Sequence, residues 1–500
     1  MLKVAAIDVG SNALRMTVGE VDDSWKVKAI ENIRLPVRLG QDVFTGGMLE
    51  ETSMQRTVEA FHRFQHVAED FGVYRLRAVA TSAMREAGNG ILLTERILSS
   101  SGIKLDIIDS DEEARLIHLA VSHALDIQNK STLLVDIGGG SVEVTLSNGN
   151  NIIFTGSYEM GAVRLLKILE KKSSSEQTFS QLVSEYAESA RRRIEREIGD
   201  EIVTVCVGTG GNVEEIGRLR QKLFKAESND LITLNELEQV IERLSRTSVE
   251  ERIREFKLRP DRADVILAAA IVLHLIANQA HVKQIAIPNV GLKDGILLDI
   301  AEELSHAPRP ERREQVLESA MHLGRKYHFD EGHAVLTSKL AVQLFLQSTC
   351  LHNLDKNNLL LLEVGALLHD IGHFISTIDH DKHGQYLLRA NHLIGLSERE
   401  QNIVANLVRY HRAKTASFDE AGFNSLLLKD RQAVLKLTAL LRLADGMDVS
   451  HTGRLEKVTL KSMENGWQLK LSNELMLEKW MIEKRKALFQ EVFGVTLDTD

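Results

Sequence analysis

The sequence predicts an α/β protein made of two related sheet-and-helix domains with a cleft between them. A mainly α-helical domain follows and ends in a small β-hairpin and a helix. Two glycine-bearing turns, each entered from an apolar strand through an aspartate, carry the first half of that prediction, and a late change in apolar periodicity carries the second. The fuller turn is Leu133-Leu134-Val135-Asp136-Ile137-Gly138-Gly139-Gly140-Ser141-Val142-Glu143, after which strand-like alternation resumes. The same grammar occurs earlier as Val4-Ala5-Ala6-Ile7-Asp8-Val9-Gly10-Ser11-Asn12-Ala13-Leu14-Arg15, and the recurrence points to a duplicated domain. Glycines let backbone N–H groups approach an anion closely, and flanking carboxylates can hold a metal that neutralises it. An ordinary β-turn is the plain alternative for either stretch alone.

At 500 residues the chain exceeds a single core. Hydrophobic content of 43% with 26% charged residues describes a globular protein, and 5 prolines with no low-complexity tract argue against long disordered linkers. The net charge of −10 excludes a generally basic, DNA-coating surface but leaves room for a local arginine and lysine pocket. Cys206 and Cys350 lie in apolar contexts and are expected to be buried thiols in a reducing compartment. Asp8 comes too early for a signal peptide, and no apolar run reaches the roughly 18 residues of a membrane span. A cytoplasmic location is therefore expected.

Residues 51–71 read as an amphipathic helix, and Arg75–Ser82 as a strand ending in hydroxyl residues, which makes Arg85 a candidate phosphate clamp. Arg15, one step past the first turn, is another, with a surface strand residue as the alternative. Leu105–Ile108 is a strand, and Asp109-Ser110-Asp111-Glu112-Glu113 opens a helix. Glu113 has two readings here: the last member of a Ser110–Glu113 capping box, or a carboxylate that deprotonates water. A third strand runs into Gly208-Thr209-Gly210-Gly211-Asn212 and opens a helix, whose first N–H groups form an anion site. An apolar helix spans about 262–278, and a strand at 285–288 leads into a last helix. Ala307-Pro308-Arg309-Pro310, with two of the five prolines, is the clearest linker. Beyond it the periodicity is helical, and twelve of the 18 histidines fall in residues 306–500. Glu464-Asn465-Gly466 marks a hairpin turn before a closing helix at about 474–493. The domains expected are 1–125, 126–305 and 311–500.

Taken together, Asp8–Arg15, Thr81–Ala87, Asp109–Arg115, Asp136–Glu143, Gly161–Leu165, Gly208–Asn212, Arg262–Leu267 and Gly291–Leu298 closely resemble the Ppx/GppA family of exopolyphosphatases and guanosine pentaphosphate phosphohydrolases. The resemblance implies two actin-like, ribonuclease H-like domains and hydrolysis of a terminal phosphate by in-line attack of water. The substrate would be inorganic polyphosphate or guanosine pentaphosphate (pppGpp). It implies Asp8 and Asp136 as Mg²⁺ carboxylates, with Ser11, Asn12, Arg15, Gly138, Gly139, Gly140, Ser141, Gly208, Thr209, Gly210 and Gly211 as phosphate cradles. It makes Arg85 a clamp on the terminal phosphate and Glu113 the catalytic glutamate, partnered by Glu143, so the helix-cap reading gives way. Ala13, Asp111, Asn289 and Lys293-Asp294 depart from the family pattern, and the extra acid at Asp111 is expected to raise the pKa of Glu113 or weaken anion binding. The last domain resembles the HD metal-dependent phosphohydrolases: His333, His369, Asp370 and Asp445 would hold one Mn²⁺, Fe²⁺ or Mg²⁺, with His383 and His411 near a second. By family analogy the protein is expected to be a homodimer.

Overall fold

The apolar run before Asp8 becomes β1 (Leu2–Val9), with Val4 to Ile7 completely buried. It pairs antiparallel with β2 (Leu14–Val21), which pairs antiparallel with β3 (Val27–Leu35). On its other side β1 meets β4 (Arg75–Ala80) and then β5 (Leu105–Ile107), both parallel to it, giving the order β3-β2-β1-β4-β5. The second sheet contains β6 (Ser131–Ile137), β7 (Val142–Asn148), β8 (Asn151–Tyr158), β9 (Val205–Thr209), β10 (Leu231–Thr233) and β11 (Gln284–Ala286). Its order is β10-β11-β9-β6-β7-β8. Without β10 this is the first sheet again, strand for strand and direction for direction. The duplication inferred from two turns therefore extends through five strands of each lobe.

This is a computed structural model that describes residues 2–149, 151–169, 172, 175–199, 201–305, 311–412, 421–455, 457–463, 466–471 and 475–499. The chain forms two units, Met1–Pro308 and Arg309–Asp500. The linker at 307–310 and the turn residues Glu464 and Asn465 lie outside the described residues. Within the first unit each lobe has its own apolar core, and a third cluster joins them. That third cluster explains one departure from the expected boundaries. The helix Leu292–Ser305, assigned by sequence to the second domain, packs Leu292, Ile296 and Ile300 with Val4, Ala6 and Leu116 of the first. Strand β11 is too short to hold it on its own lobe.

Other differences are local. Asp109, not Ser110, caps the helix Ser110–Ala124: its side chain accepts from the Glu112 N–H at 2.8 Å, so no Ser110–Glu113 capping box forms. The apolar helix expected from Arg262 is split into Pro260–Ala263 and Ile266–Gln279 at Asp264, whose carboxylate is held by Arg38. Cys206 is buried as expected, but Cys350 is exposed because it sits in a four-residue helix at the surface.

The second unit packs the helices Glu311–Lys326, Glu331–Gln347, Lys356–Leu368, Glu398–Tyr410 and Leu428–Gly446 around one core. Its hairpin pairs β12 (Thr459–Met463) with β13 (Gly466–Lys470), and the helix Met476–Phe493 follows. A three-residue β14 (Leu497–Thr499) then adds parallel to β13, too short for periodicity to reveal. No helix among the described residues is long and apolar enough to cross a membrane.

Gly295 is where the helices Leu292–Ser305 and Ser110–Ala124 touch, since a Cβ there would overlap the Leu116 carbonyl. Gly295→Ala is therefore expected to cost about 1–3 kcal/mol or more of stability, read as a lower denaturation midpoint with unchanged cooperativity.

Candidate active site

The two turns are built alike. Gly10 N–H donates to Ala13 O at 3.2 Å, and Gly138 N–H to Ser141 O at 3.1 Å. In the register of each hairpin Asp8 faces Arg15, and Asp136 faces Glu143. Arg15 and Glu143 are thus counterparts, a cation in one copy and an acid in the other. The second turn is braced from behind: Ala162, Val163 and Arg164 N–H groups donate to the Gly138 and Gly139 carbonyls. Gly161 permits that approach, since a Cβ would lie 2.5 Å from the Gly139 carbonyl carbon. Arg164 also donates to Gly140 O at 2.7 Å, pairs with Glu86 of the first lobe and lies over the Phe44 ring.

Both turns open onto a cavity of about 100 Å³ between the lobes. Asp8, Ser11, Asn12, Arg15, Glu113 and Asp136 line it, as do Gly138, Gly139, Ser141, Gly210 and Gly211. Four residues expected at the phosphates sit elsewhere. Gly208 packs against Val213 and Ile285, in the core under the turn. Gly140 faces Phe44 and Ser82. Thr209 instead holds Asp136, its hydroxyl donating to Oδ1 at 2.6 Å. Arg85 donates to the Ile108 carbonyl at 2.7 Å and meets Glu113 at 3.3 Å, so it restrains the acid.

Charges of both signs line the cavity. Glu113 and Asp136 of that lining, with Glu143 beside them, bring one carboxylate oxygen each within 4.8 Å of one another, and all three are buried. Asp8 lines the same cavity, and its charge adds to the rise of Asp136 and Glu113. Burial, then the Glu143 charge, pushes Glu113 well above the usual carboxylate range. Burial raises Asp136 to about 6 and Glu143 to about 7, the latter with a contribution from the Asp136 charge. Asp111 is not among the leading influences on Glu113, contrary to expectation. Ser157 donates to Glu143 Oε1 at 3.0 Å, while Oε2 is buried with no partner. Three mutually repelling acids with an orphaned oxygen suit a hard divalent cation such as Mg²⁺.

In the same lining Arg15 and Arg262 converge on Gly211, the first residue of the helix Gly211–Phe224. Arg262 Nη1 donates to Asn212 Oδ1 at 2.7 Å, its Nε has no partner, and burial with the nearby Arg15 charge lowers its pKa to about 9. Nearby Arg34 and Arg38 are neutralised by Asp261 and Asp264. Among the described residues neither Arg15 nor Arg262 has a carboxylate at ion-pair distance. A buried and a half-buried guanidinium at a helix N-terminus are arranged for an anion. Sequence reasoning quoted Arg262 and Lys293 without giving them a role. Their signal was a lone cation at the mouth of an apolar helix and another two residues after Gly291.

The second unit holds a separate cluster. His333, His369, Asp370 and Asp445 converge as expected, with His333 Nε2 3.2 Å from His369 Nε2. The neighbour of His411 is His380, however, not His383: the His380 and His411 Nε2 atoms are 3.2 Å apart, and Asp370 Oδ1 is 3.3 and 3.4 Å from them. His383 is half-buried and outside the cluster, because the helix His380–Ala390 starts at His380 and turns its first residue inward. His369 and His411 donate Nδ1–H to the Ala366 and Val408 carbonyls, and His333 Nδ1 lies 2.8 Å from Asp448. Those bonds leave the Nε2 lone pairs directed into the cluster. Asp330, His333, Lys339, Asp448, His451 and Lys457 line an adjoining cavity of about 500 Å³.

Comparison with known proteins follows this division. A model of the Ppx/GppA phosphatase family matches residues 17–304, and one for domain III of Ppx/GppA phosphatases matches 316–488. A guanosine-5'-triphosphate,3'-diphosphate pyrophosphatase of Photobacterium profundum is 26% identical over 445 residues, 87% of this chain and 85% of that protein. One from Aliivibrio fischeri (strain ATCC 700601 / ES114) is 26% identical over 411 residues, 82% and 80%. Among solved structures, an exopolyphosphatase from Cytophaga hutchinsonii has a TM-score of 0.56 at 22% identity, covering 60% of this chain and 98% of that one. The Aquifex aeolicus Ppx/GppA family member has a TM-score of 0.54 at 24% identity, covering 61% and 99%. At these identities the two structures establish the fold alone.

If the unpaired guanidiniums form an anion site, inorganic phosphate raises the melting temperature of the wild-type chain. Arg262→Met is expected to abolish most of that rise, with some loss of phosphate-free stability because buried Asn212 Oδ1 loses its donor, as thermal melts with and without phosphate would measure.

Proposed function

Because the chain belongs to the Ppx/GppA phosphatase family, hydrolases of phosphoanhydride bonds, we propose that its cleft removes the terminal orthophosphate of inorganic polyphosphate. The observation that carries this reading is one cavity lined both by acids, Asp8, Glu113 and Asp136, and by Arg15 and Arg262 at a helix N-terminus. A terminal phosphoryl group enters with its oxygens toward the guanidiniums. Asp136 and Glu143 would hold a Mg²⁺, with Asp8 beside them, and bound there it supplies charge neutralisation. Glu113 accepts a proton from the attacking water, a role that uses the greater basicity burial gives its carboxylate. The water oxygen bonds to the terminal phosphorus, and the bridging oxygen leaves with the shortened chain. Positioning and electrostatics do nearly all the work.

Among the described residues, none that lines the cavity is aromatic and able to stack a base, and this favours polyphosphate. The alternative, pppGpp, is favoured by the names of the relatives aligned along most of the chain. Phosphate release from long-chain polyphosphate and from pppGpp, each with Mg²⁺, separates the two. Glu113→Gln is expected to lower turnover on the preferred substrate by about 10²-fold or more with a smaller change in KM. Wild-type turnover by Glu113→Gln contradicts this assignment of the base.

For the second unit we propose an HD-type centre of two divalent cations, Mn²⁺, Fe²⁺ or Mg²⁺, sharing Asp370. His333, His369 and Asp445 complete one ligand set, and His380 and His411 the other. Two pairs of imidazole Nε2 atoms 3.2 Å apart, each with Asp370 nearby, leave room for a cation bound at about 2.1 Å from both nitrogens, and that supports the reading. After loading the full chain with Mn²⁺ and desalting, metal analysis is expected to find Asp370→Ala depleted by two equivalents and His411→Ala by one. Equal metal content in all three proteins contradicts it.

A further inference from the structure

The cavity's walls come from both lobes, yet the helix that presents Glu113 is anchored on its far side, away from the cavity. Glu112 and Glu113 are consecutive in the helix Ser110–Ala124, so their side chains leave it about 100° apart. Glu113 faces the acids. Glu112 faces Arg77 of β4 and Asp299 of the helix Leu292–Ser305. There two guanidiniums each bridge two carboxylates. Arg77 reaches Glu112 at 2.8 Å and Asp299 at 2.5 Å, and Arg115 reaches Glu112 at 2.6 and 2.9 Å and Asp299 at 2.9 Å. Asp299 is only 2% exposed. The ring balances two positive against two negative charges, and loss of any member leaves a charge uncompensated.

Its position gives the ring leverage. The helix Ser110–Ala124 carries the chain from the first sheet toward the second, and the helix Leu292–Ser305 brings it back. The two cross in backbone contact at Gly295 and Leu116, three residues beyond Glu113. The ring therefore ties both crossings to one strand of the first sheet. Among the described residues Glu113 pairs with one cation, Arg85, itself fixed to the Ile108 carbonyl. The lateral position of the glutamate is consequently set by the first turn of its helix.

We propose that Asp299, through Arg77, Arg115 and Glu112, is a positioning residue for the cleft reaction, holding the first turn of the Ser110–Ala124 helix so that Glu113 is aimed at the attacking water. It touches neither substrate nor reacting atoms. A displacement of about 1 Å at such a group costs on the order of 10²-fold in rate, and the effect falls on turnover rather than on anion binding, which Arg15 and Arg262 supply. The inference rests on Glu113 acting as the base.

The test is steady-state phosphate release from polyphosphate by the full chain, comparing wild type, Asp299→Asn, Asp299→Glu, Glu113→Gln and the Asp299→Asn/Glu113→Gln double variant. Asp299→Asn is expected to lower kcat about 10- to 100-fold while KM stays within about twofold, and Asp299→Glu to recover part of the loss. In the Glu113→Gln background Asp299→Asn is expected to have almost no further effect, because the group it positions is already gone. If Asp299→Asn does not fold, Arg77→Lys takes its place in the same comparison, keeping the charge without the two-carboxylate bridge. Unchanged kcat, a change confined to KM, or the same proportional loss with and without Glu113 would overturn the proposal. Wild-type turnover by Glu113→Gln alone would instead overturn the assignment of the base, so the two failures are distinct.

Discussion

Burying charges of like sign is what the rest of the first unit is arranged around. Glu113, Asp136 and Glu143 sit together out of water, and Arg15 and Arg262 converge on Gly211 without a carboxylate at ion-pair distance among the described residues. Either group alone is unfavourable, since desolvated like charges repel across a low dielectric. The fold tolerates them because each occupies a rigid place: a strand end, a braced turn or a helix start. An anion and a cation bound together, as proposed for this cleft, would relieve both groups at once, so stability and the proposed function pull in opposite directions at these residues.

Duplication supplies the frame, and divergence supplies the chemistry. Both lobes offer the same hairpin with an aspartate at the same place, and opposite it stands Arg15 in one and Glu143 in the other. One substitution at a shared register position thus puts a cation in one hairpin and an acid in the other. Strand β9 repeats the strand-to-turn exit of β4 but adds a glycine pair, and its Gly210 has a φ of 93°, a conformation that a side chain would strain. That turn lets the helix Gly211–Phe224 begin directly beneath Arg262 and Arg15.

Much of this was legible in the sequence because strands that end in aspartate and glycine leave a strong local mark. Asp8, Asp136, Glu143, Ser141 and Gly210 were recognisable for that reason. Less legible were residues whose role depends on which way a helix faces. His380 and His383 differ by one helical turn, and either reading satisfies the periodicity until the start of the helix at His380 is known. Ser110 and Asp109 are both good caps, and the choice between them turns on one hydrogen bond, Glu112 N–H to Asp109. Arg262 became visible only when a break at Asp264 and the convergence with Arg15 were seen in three dimensions. Long-range pairing, as between Arg77 and Asp299, has no signature in a single chain read linearly.

The central claim is that water, activated at Glu113, attacks the terminal phosphorus in the cleft. Hydrolysis of polyphosphate in ¹⁸O-labelled water by wild type and Glu113→Gln tests it most directly. The account predicts one labelled oxygen in each released orthophosphate, none in the shortened chain, and release slowed by about two orders of magnitude in the variant. Label in the shortened chain, or equal rates in the two proteins, would contradict it.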